Sequence, residues 1–203
     1  MPPFILPKEQ IILASGSESR KAMLTEAGLD FSIEPSSVDE DIIKKQMKGK
    51  PFDQQVIALA CAKAEEVSNK FPDAFVIGGD QMCIYQNEVF DKPGSKDKAI
   101  SNLLKLSGTS HFQYSGICIF NSGQSIWEYC EFVEMVMHDL SQSEIENYVE
   151  IENPINAAGA YKFESLGCNL FKSVEGSSYT VRGMPLLPLL NKLRDLDIID
   201  LNK

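Results

Sequence analysis

The stretch VIGGDQMCIYQNEVFDKP, residues Val76 to Pro93, contains the pattern that decides the fold. An apolar run over residues 74–77 leads into Gly78 and Gly79, and the acid Asp80 follows them. Glycines that end a buried strand let the backbone pass close to a neighbour. Because open α/β sheets bind ligands at the carboxyl ends of their strands, we expect Asp80 at such an end, where it can act on a ligand.

The second half of this stretch has the pattern of a β-hairpin. Two short apolar runs, residues 82–85 and 89–90, flank the turn pair Gln86-Asn87. Asp91-Lys92-Pro93 closes the hairpin, so we expect Lys92 to return near Asp80. A simpler interpretation stays open here, in which Gly-Gly-Asp-Gln is only a turn that opens the hairpin.

Length and composition favour a single globular domain. The chain has 203 residues, of which 43% are hydrophobic and 24% are charged, values that are ordinary for a soluble protein with its own core. We therefore expect one domain over residues 1–203, without a linker. The net charge of -10 argues against a protein that coats nucleic acid. It does not exclude an anionic small substrate, because a local basic cluster and a divalent metal can offset a distant acidic surface.

The cysteines and the N-terminus bear on the compartment. The five cysteines are scattered and form no CxxC pair, which is typical of a reducing compartment and not of a disulfide framework or a zinc site. The N-terminal segment has too short an apolar core for a secretory signal. No apolar run approaches the ~20 residues that span a bilayer. We expect a cytoplasmic protein that does not contact membranes.

A strand, a small polar loop and a helix are predicted in succession near the N-terminus. Residues 11–14 form the strand, Ser15-Gly16-Ser17 the loop, and a helix runs from Ser17 as N-cap to a stop at Gly28. The N–H groups that begin a helix bind anions. Arg20 lies in the first turn, where a cation opposes the helix dipole. An anion bound between Arg20 and the backbone amides would explain an arginine at this position. The alternative is an arginine that faces solvent.

An acidic run and a lysine complete the chemically interesting positions. Asp39-Glu40-Asp41 follows a short predicted strand over residues 31–33, and it is either a solvated loop, a helix start, or the holder of a metal. A helix is predicted from Pro51 to Phe71, with Asp53 as its N-cap. Lys63 falls in the middle of the apolar face of that helix. It must extend to solvent or meet a negative charge inside a cleft.

The remaining elements follow from caps and periodicity. Ser95 begins a helix that Gly108 ends, and two long strands are predicted over residues 111–121 and 126–137. Ser141 and Glu144 form a capping box for a helix to about residue 150. Residues 157–186 are predicted as strands and tight loops, and a last helix is predicted from about Pro185 to Leu196. The two histidines lack metal-ligand spacing and are expected to be structural or on the surface.

An ordered set of motifs runs through nearly the whole chain: LASGSESRKAML, Val38-Asp39-Glu40, Ala62-Lys63-Ala64, GGDQ, FDKP, LSGTSH, AGAYKFES and GMPLLPLL. Together they resemble the Maf family of nucleoside triphosphate pyrophosphatases. The resemblance implies an α/β, mixed-sheet fold of the inosine-triphosphate-pyrophosphatase (Maf/Ham1) type, with two lobes and a central cleft. It implies hydrolysis of a nucleoside triphosphate to the monophosphate and pyrophosphate, with Mg²⁺ or Mn²⁺. The expected partner is this small molecule; a homodimer is compatible with the resemblance.

The resemblance also assigns roles to residues. It implies that Asp80 serves as proton acceptor, as metal ligand or as both, that Glu40 helps to hold the metal, and that three cations clamp the phosphates. These cations are Arg20, Lys63 and Lys92. The substrate-binding positions that it implies are Ser15, Ser17, Ser19, Gln81 and Glu164.

Three of these positions separate branches of the family. Ser19, Gln81 and Glu164 stand where the pyrimidine-directed branch has an arginine, a threonine and a glutamine. The Asp-Gln pair and Glu164 resemble the branch that acts on 7-methyl-GTP. Arg182 stands where the family usually has an apolar residue, and nothing in the sequence explains it. A competing hypothesis is a nucleotide-binding regulator of cell division or septum formation, with little catalysis.

Overall fold

The structure is a computed structural model, and it describes residues 4–200. Its strands are β1 (Ile11–Leu13), β2 (Ser32–Ile33), β3 (Phe75–Tyr85), β4 (Glu88–Val89), β5 (Ser110–Asn121), β6 (Gln124–Met137) and β7 (Phe171–Glu175). They form one seven-stranded sheet in the order β2-β1-β3-β5-β6-β7, with β4 paired to β3. The sheet is mixed, because β1 is parallel to β2 and β3 whereas β4 and β7 pair antiparallel. The predicted mixed α/β class is confirmed.

The helices are α1 (Glu18–Glu26), α2 (Glu40–Gln46), α3 (Phe52–Lys70), α4 (Lys96–Leu106), α5 (Gln142–Glu152), α6 (Ser178–Val181) and α7 (Leu186–Asp195). The predicted serine caps are present at the starts of α1, α4 and α5, where Ser17, Ser95 and Ser141 accept backbone N–H groups. The predicted cap at Asp53 is wrong. Pro51 precedes α3 without a side-chain cap, and Asp53 lies inside the first turn, where an acid still interacts favourably with the helix dipole.

Residues 157–184 differ most from the prediction. The segment contains a single strand, β7, two 3₁₀ turns at Ala158–Ala160 and Leu166–Leu170, and the short helix α6. Helix α6 has four residues, too few to show an apolar period in the sequence. Arg182 is the residue that ends α6.

Strand β3 overturns the prediction that Gly78 and Gly79 end a strand. The strand continues through both glycines and Asp80 to Tyr85, so Asp80 lies in the middle of β3 and not at its carboxyl end. A Cβ on Gly78 would lie 2.8 Å from the Cβ of Ala64 and from the Sγ of Cys118. Glycine is required at this point because helix α3 packs directly on the strand, not because the strand stops.

The predicted hairpin after Asp80 is confirmed. Strand β4 pairs antiparallel with β3, with Val89 opposite Ile84. The turn residues Gln86 and Asn87 both have positive φ, 49° and 64°, as a two-residue turn matched to the twist of a hairpin requires.

The chain forms two compact units, whose boundary within β3 falls between Asp80 and Gln81. The first unit runs to Asp80, resumes over Ser115–Glu131 and includes the residues from Gly183. Its core packs α3 on β1, β3 and β5 through buried Ile12, Ala64 and Val76.

The second unit comprises Gln81–Tyr114 and Phe132–Arg182. Its core contains Leu103 of α4, Met135 of β6 and Tyr161. Across residues 4–200, no helix combines the length and the apolar character that crossing a bilayer would need. The five cysteines are all free thiols.

Candidate active site

Lys63 on α3 joins two carboxylates of the first unit. Its Nζ lies 2.6 Å from Oδ1 of Asp80 and 2.8 Å from Oε1 of Glu40. The Lys63 and Asp80 side chains are each 13% exposed, whereas that of Glu40 is 41% exposed. Of the two alternatives for this lysine, the structure shows the ion pair. The ammonium does not extend to solvent, and its burial is compensated by opposite charge.

The backbone explains why these groups meet. Side chains two residues apart on a strand share a face, so Asp80 points to the same side as the missing side chain of Gly78. That side is occupied by α3, whose residues Ala60 and Ala64 lie against Gly78. Lys63 precedes Ala64 on this helix, and its long side chain reaches Asp80. The close packing of α3 on Gly78 thus places Lys63 within ion-pair distance of Asp80.

Glu40 reaches the same lysine from the start of α2. Asp39 is the N-cap of this helix, and its carboxylate accepts the N–H of Asp41 at 3.0 Å. Glu40 occupies the first helical position, where a negative charge is stabilised by the helix dipole. The acidic run is therefore a helix start, and one of its three acids joins the charged cluster.

Arg20 is buried on α1, which rules out the solvent-facing alternative. Only 8% of the residue is exposed. Its Nε donates to the carbonyl of Gly183 at 2.8 Å, and its Nη1 donates to Oγ of Ser15 at 3.0 Å. A Cβ on Gly79 would lie 3.1 Å from this Nε, so the glycine makes room for the guanidinium.

The charge of Arg20 is electrostatically coupled to the two acids. Burial lowers the pKa of its guanidinium below the ordinary value, and the charges of Asp80 and Glu40 act in the opposite direction. An arginine nevertheless stays protonated in proteins. The first unit therefore holds two cations and two carboxylates in one charged cluster, defined here as Arg20, Glu40, Lys63 and Asp80.

The donor set of this cluster suits a hard divalent cation only in part. Two carboxylates, Glu40 and Asp80, converge on the ammonium of Lys63. Within residues 4–200 there is no group of three or more His, Cys, Asp or Glu side chains that could hold a metal. Mg²⁺ is commonly bound by one or two carboxylates together with phosphate oxygens of a ligand and water. The residues fit such a shared site and do not fit a site built by the protein alone.

The three serines predicted to bind substrate lie around the start of α1. Ser15 is buried and accepts hydrogen bonds from Arg20 and from the N–H of Ser17. Ser17 caps the helix by accepting the N–H of Arg20 at 3.4 Å. Ser19 is half-buried in the first turn. The predicted loop and capped helix start thus form in the structure, beside a buried guanidinium, and their binding of an anion stays a prediction.

The other predicted site residues belong to the second unit. The Gln81 side chain donates to the carbonyl oxygens of Val181 at 2.7 Å and Thr180 at 3.3 Å. Lys92 is exposed after the hairpin, and Glu164 is exposed in a turn. The structure therefore brings together Ser15, Arg20, Glu40, Lys63 and Asp80. The catalytic and binding roles of these five residues stay predictions, as do those of Ser17, Ser19, Gln81, Lys92 and Glu164.

Sequence reasoning missed two groups around the cluster. The carbonyl of Gly183 holds Arg20, and a backbone acceptor 163 residues away leaves no local signal. Glu66 accepts hydrogen bonds from Ser36 and Ser37, next to the acidic run. Its signal was its spacing, because Glu66 lies three residues after Lys63 and therefore on the same face of α3.

The family model described as Maf-like protein matches residues 10–196 of this chain. The chain belongs to the Maf-like family. This confirms the family that the ordered motifs predicted.

Two curated proteins illustrate how closely the Maf-like chain resembles its relatives. A Legionella pneumophila (strain Corby) protein named nucleoside triphosphate pyrophosphatase is 39% identical over 194 residues, covering 96% of this chain and 97% of the relative. A Bartonella henselae protein named 7-methyl-GTP pyrophosphatase is 41% identical over 194 residues, covering 95% of this chain and 98% of the relative. A solved Mycobacterium abscessus structure, titled nucleoside-triphosphatase / dITP/XTP pyrophosphatase, is 16% identical with a TM-score of 0.47, covering 92% of this chain and 97% of that chain.

Proposed function

We propose that this Maf-like chain is a nucleoside triphosphate pyrophosphatase, a hydrolase that releases pyrophosphate and a nucleoside monophosphate. The observation that carries the proposal is Lys63 held at 2.6 Å from Asp80 and 2.8 Å from Glu40, in a cluster with the buried Arg20. Cations that are partly shielded from water are suited to phosphate oxygens. The Legionella and Bartonella relatives are named for the same reaction class, which supports this proposal.

The reaction requires a nucleophile and charge stabilisation. The oxygen of a water molecule bonds to phosphorus, the bond from the α phosphorus to the bridging oxygen breaks, and that oxygen leaves with pyrophosphate. Asp80 orients this water and accepts its proton. Arg20 and Lys63 stabilise the negative charge that develops on the phosphate oxygens, because positioning and charge dominate phosphoryl chemistry. Lys92, an exposed lysine of the second unit, is proposed as a third phosphate ligand.

Glu40 and Asp80 are the residues that would hold a divalent metal, Mg²⁺ or Mn²⁺. The observation behind this assignment is that both carboxylates already converge on one cation, the ammonium of Lys63. When bound, such an ion neutralises phosphate charge and polarises the phosphoryl oxygens. Two carboxylates leave most ligand positions to the substrate, so we expect metal and nucleotide to bind together.

The test is a panel of standard and modified nucleoside triphosphates, incubated with Mg²⁺ or Mn²⁺ and scored for pyrophosphate. We expect pyrophosphate from at least one nucleotide, and none after addition of a chelator. Release of orthophosphate alone, or turnover that a chelator leaves unchanged, would contradict the proposal. Binding of nucleotide without any turnover would favour the regulator hypothesis.

We further propose that the preferred base is 7-methylguanine or another modified purine. The amide nitrogen of Gln81 donates to two backbone carbonyls, so the amide oxygen, an acceptor, is what this side chain has left to offer a ligand. Glu164 adds a second acceptor when ionised. Guanine has N–H donors on its pairing edge, and 7-methylation gives the ring a positive charge. Acceptors therefore favour this base over pyrimidines, which need donors for their carbonyl groups.

A competition assay checks this preference. 7-Methyl-GTP, dTTP and UTP are offered together at equal concentration to the parent and to Glu164→Gln. We expect the parent to consume 7-methyl-GTP first, and the variant to lose roughly tenfold or more of that preference, the scale of one charge-assisted hydrogen bond. Faster use of dTTP or UTP by the parent would overturn the assignment. An unchanged preference in the variant would remove Glu164 from base recognition.

A further inference from the structure

Glu66 on α3 binds the chain segment that leads into α2. Its Oε2 accepts the hydroxyl of Ser36 and the N–H of Ser37, both at 2.7 Å. Its Oε1 accepts the Ser37 hydroxyl at 2.7 Å and the ammonium of Lys70 at 2.7 Å. One carboxylate therefore fastens two consecutive residues through both their side chains and a backbone N–H.

This segment ends at the acid of the charged cluster. Ser36 and Ser37 lie four and three residues before Glu40, and the Ser36 hydroxyl also accepts the N–H of Val38 at 3.2 Å. Helix α3 thus contacts the segment at two points on one face. Glu66 holds its beginning, and Lys63 contacts its end at Glu40.

Apolar packing contributes little to holding helix α2 in place. None of the seven residues of α2 is buried. Of its two isoleucines, Ile42 is 53% exposed and Ile43 is half-buried. A helix without a buried face gains little stability from the hydrophobic effect. Polar contacts therefore matter for the position of Glu40, and Glu66 accepts three hydrogen bonds from the segment before it.

We propose that Glu66 is a positioning residue for the reaction: by fixing Ser36 and Ser37, it fixes Glu40 against Lys63 and Asp80. The effect on catalysis rests on the proposed function. The anchoring itself does not, because it is a property of the protein without substrate. Hydrogen bonds from Lys70, Ser36 and Ser37 lower the pKa of Glu66 to about 2. The anchor is consequently ionised at neutral pH.

The test compares Glu66→Ala and Glu66→Gln with a matched control, Glu65→Ala. Glu65 is the neighbouring acid on α3 and is exposed. Amide hydrogen exchange of residues 37–42 is measured first, in the absence of metal and substrate. We expect exchange to rise roughly tenfold or more in Glu66→Ala, the effect of losing charge-assisted hydrogen bonds. Glu66→Gln should lie between Glu66→Ala and the parent, and Glu65→Ala should match the parent.

Activity then supplies the functional readout. In Glu66→Ala we expect a higher Mg²⁺ concentration for half-maximal rate and a lower kcat, because Glu40 is no longer held in place. Unchanged exchange in Glu66→Ala would overturn the anchoring. Faster exchange with an unchanged metal requirement and kcat would overturn the positioning role. Absence of turnover in the parent would instead count against the proposed function, since the exchange result does not depend on it.

Discussion

In the first unit, buried charges are held by opposite charges, whereas the second unit buries a neutral hydrogen-bonded set. The charged cluster joins Lys63 to Glu40 and Asp80 within 2.8 Å. The neutral set is built on Tyr161, whose hydroxyl lies 2.8 Å from Nε2 of His111 and 2.6 Å from Nε2 of Gln113.

The two sets differ in what burial does to them. His111 is 0% exposed, and burial lowers its pKa to about 4, so its ring is neutral in the folded protein. The charged cluster instead pairs groups of opposite charge, and the Lys63 side chain is 13% exposed. Burying charges costs stability that a neutral core would not lose. Buried charges beside a strand glycine are therefore the stronger candidate for the proposed active site, whereas the neutral set belongs to the core of the second unit.

The largest expected effect follows from removing the base of the charged cluster. Asp80→Asn keeps the shape of the side chain but removes its charge and its ability to take a proton. We expect turnover to fall roughly 10²-fold or more, the scale of a lost general base, while the protein stays folded by circular dichroism. Asp53→Asn, at an exposed acid in the first turn of α3, is the matched control and should keep near-normal turnover. A folded Asp80→Asn variant with normal turnover would take Asp80 out of the mechanism.

A smaller effect tests the neutral set. The folded-state pKa of His111, about 4, is below its ordinary value of 6.5, so the unfolded chain binds a proton first. Its contribution to stability is complete above pH 6.5 and is lost as pH falls toward 4, by up to about 3 kcal/mol.

Urea unfolding at several pH values measures this loss. Between pH 6.5 and 4, the parent should lose more free energy of unfolding than His111→Gln, which has no imidazole to protonate. His138→Gln is the control, because His138 is exposed, and it should behave as the parent does. Equal losses in the parent and His111→Gln would show that the buried ring carries no such linkage.

Much of the fold was predictable because its signals are local. Serine caps, the hairpin turn at Gln86-Asn87 and the apolar face of α3 depend on residues within a few positions of one another. The glycines of β3 could not be placed this way. The local sequence around Gly78 predicts the end of a strand. Only the packing of α3 against this glycine explains why a glycine stands within a continuous strand.

The site likewise has features that local sequence predicts and features that depend on distant residues. That Lys63 must meet an acid or leave the core followed from its place on an apolar face, but which acids it meets depends on the approach of α2 and β3. The burial of Arg20 depends on Gly183, far along the chain. The anchoring by Glu66 joins residues 29 and 30 positions apart, beyond any helical or strand period.

The central claim is that the charged cluster cleaves the bond between the α and β phosphates. It is tested most directly by ³¹P NMR of one reaction series, in which the preferred nucleoside triphosphate, Mg²⁺ and either the parent or folded Asp80→Asn are followed over time. The account predicts that the parent forms equal amounts of nucleoside monophosphate and pyrophosphate, and that Asp80→Asn forms neither at a comparable rate. Orthophosphate and nucleoside diphosphate as the first products of the parent, or equal pyrophosphate release by both proteins, would contradict it.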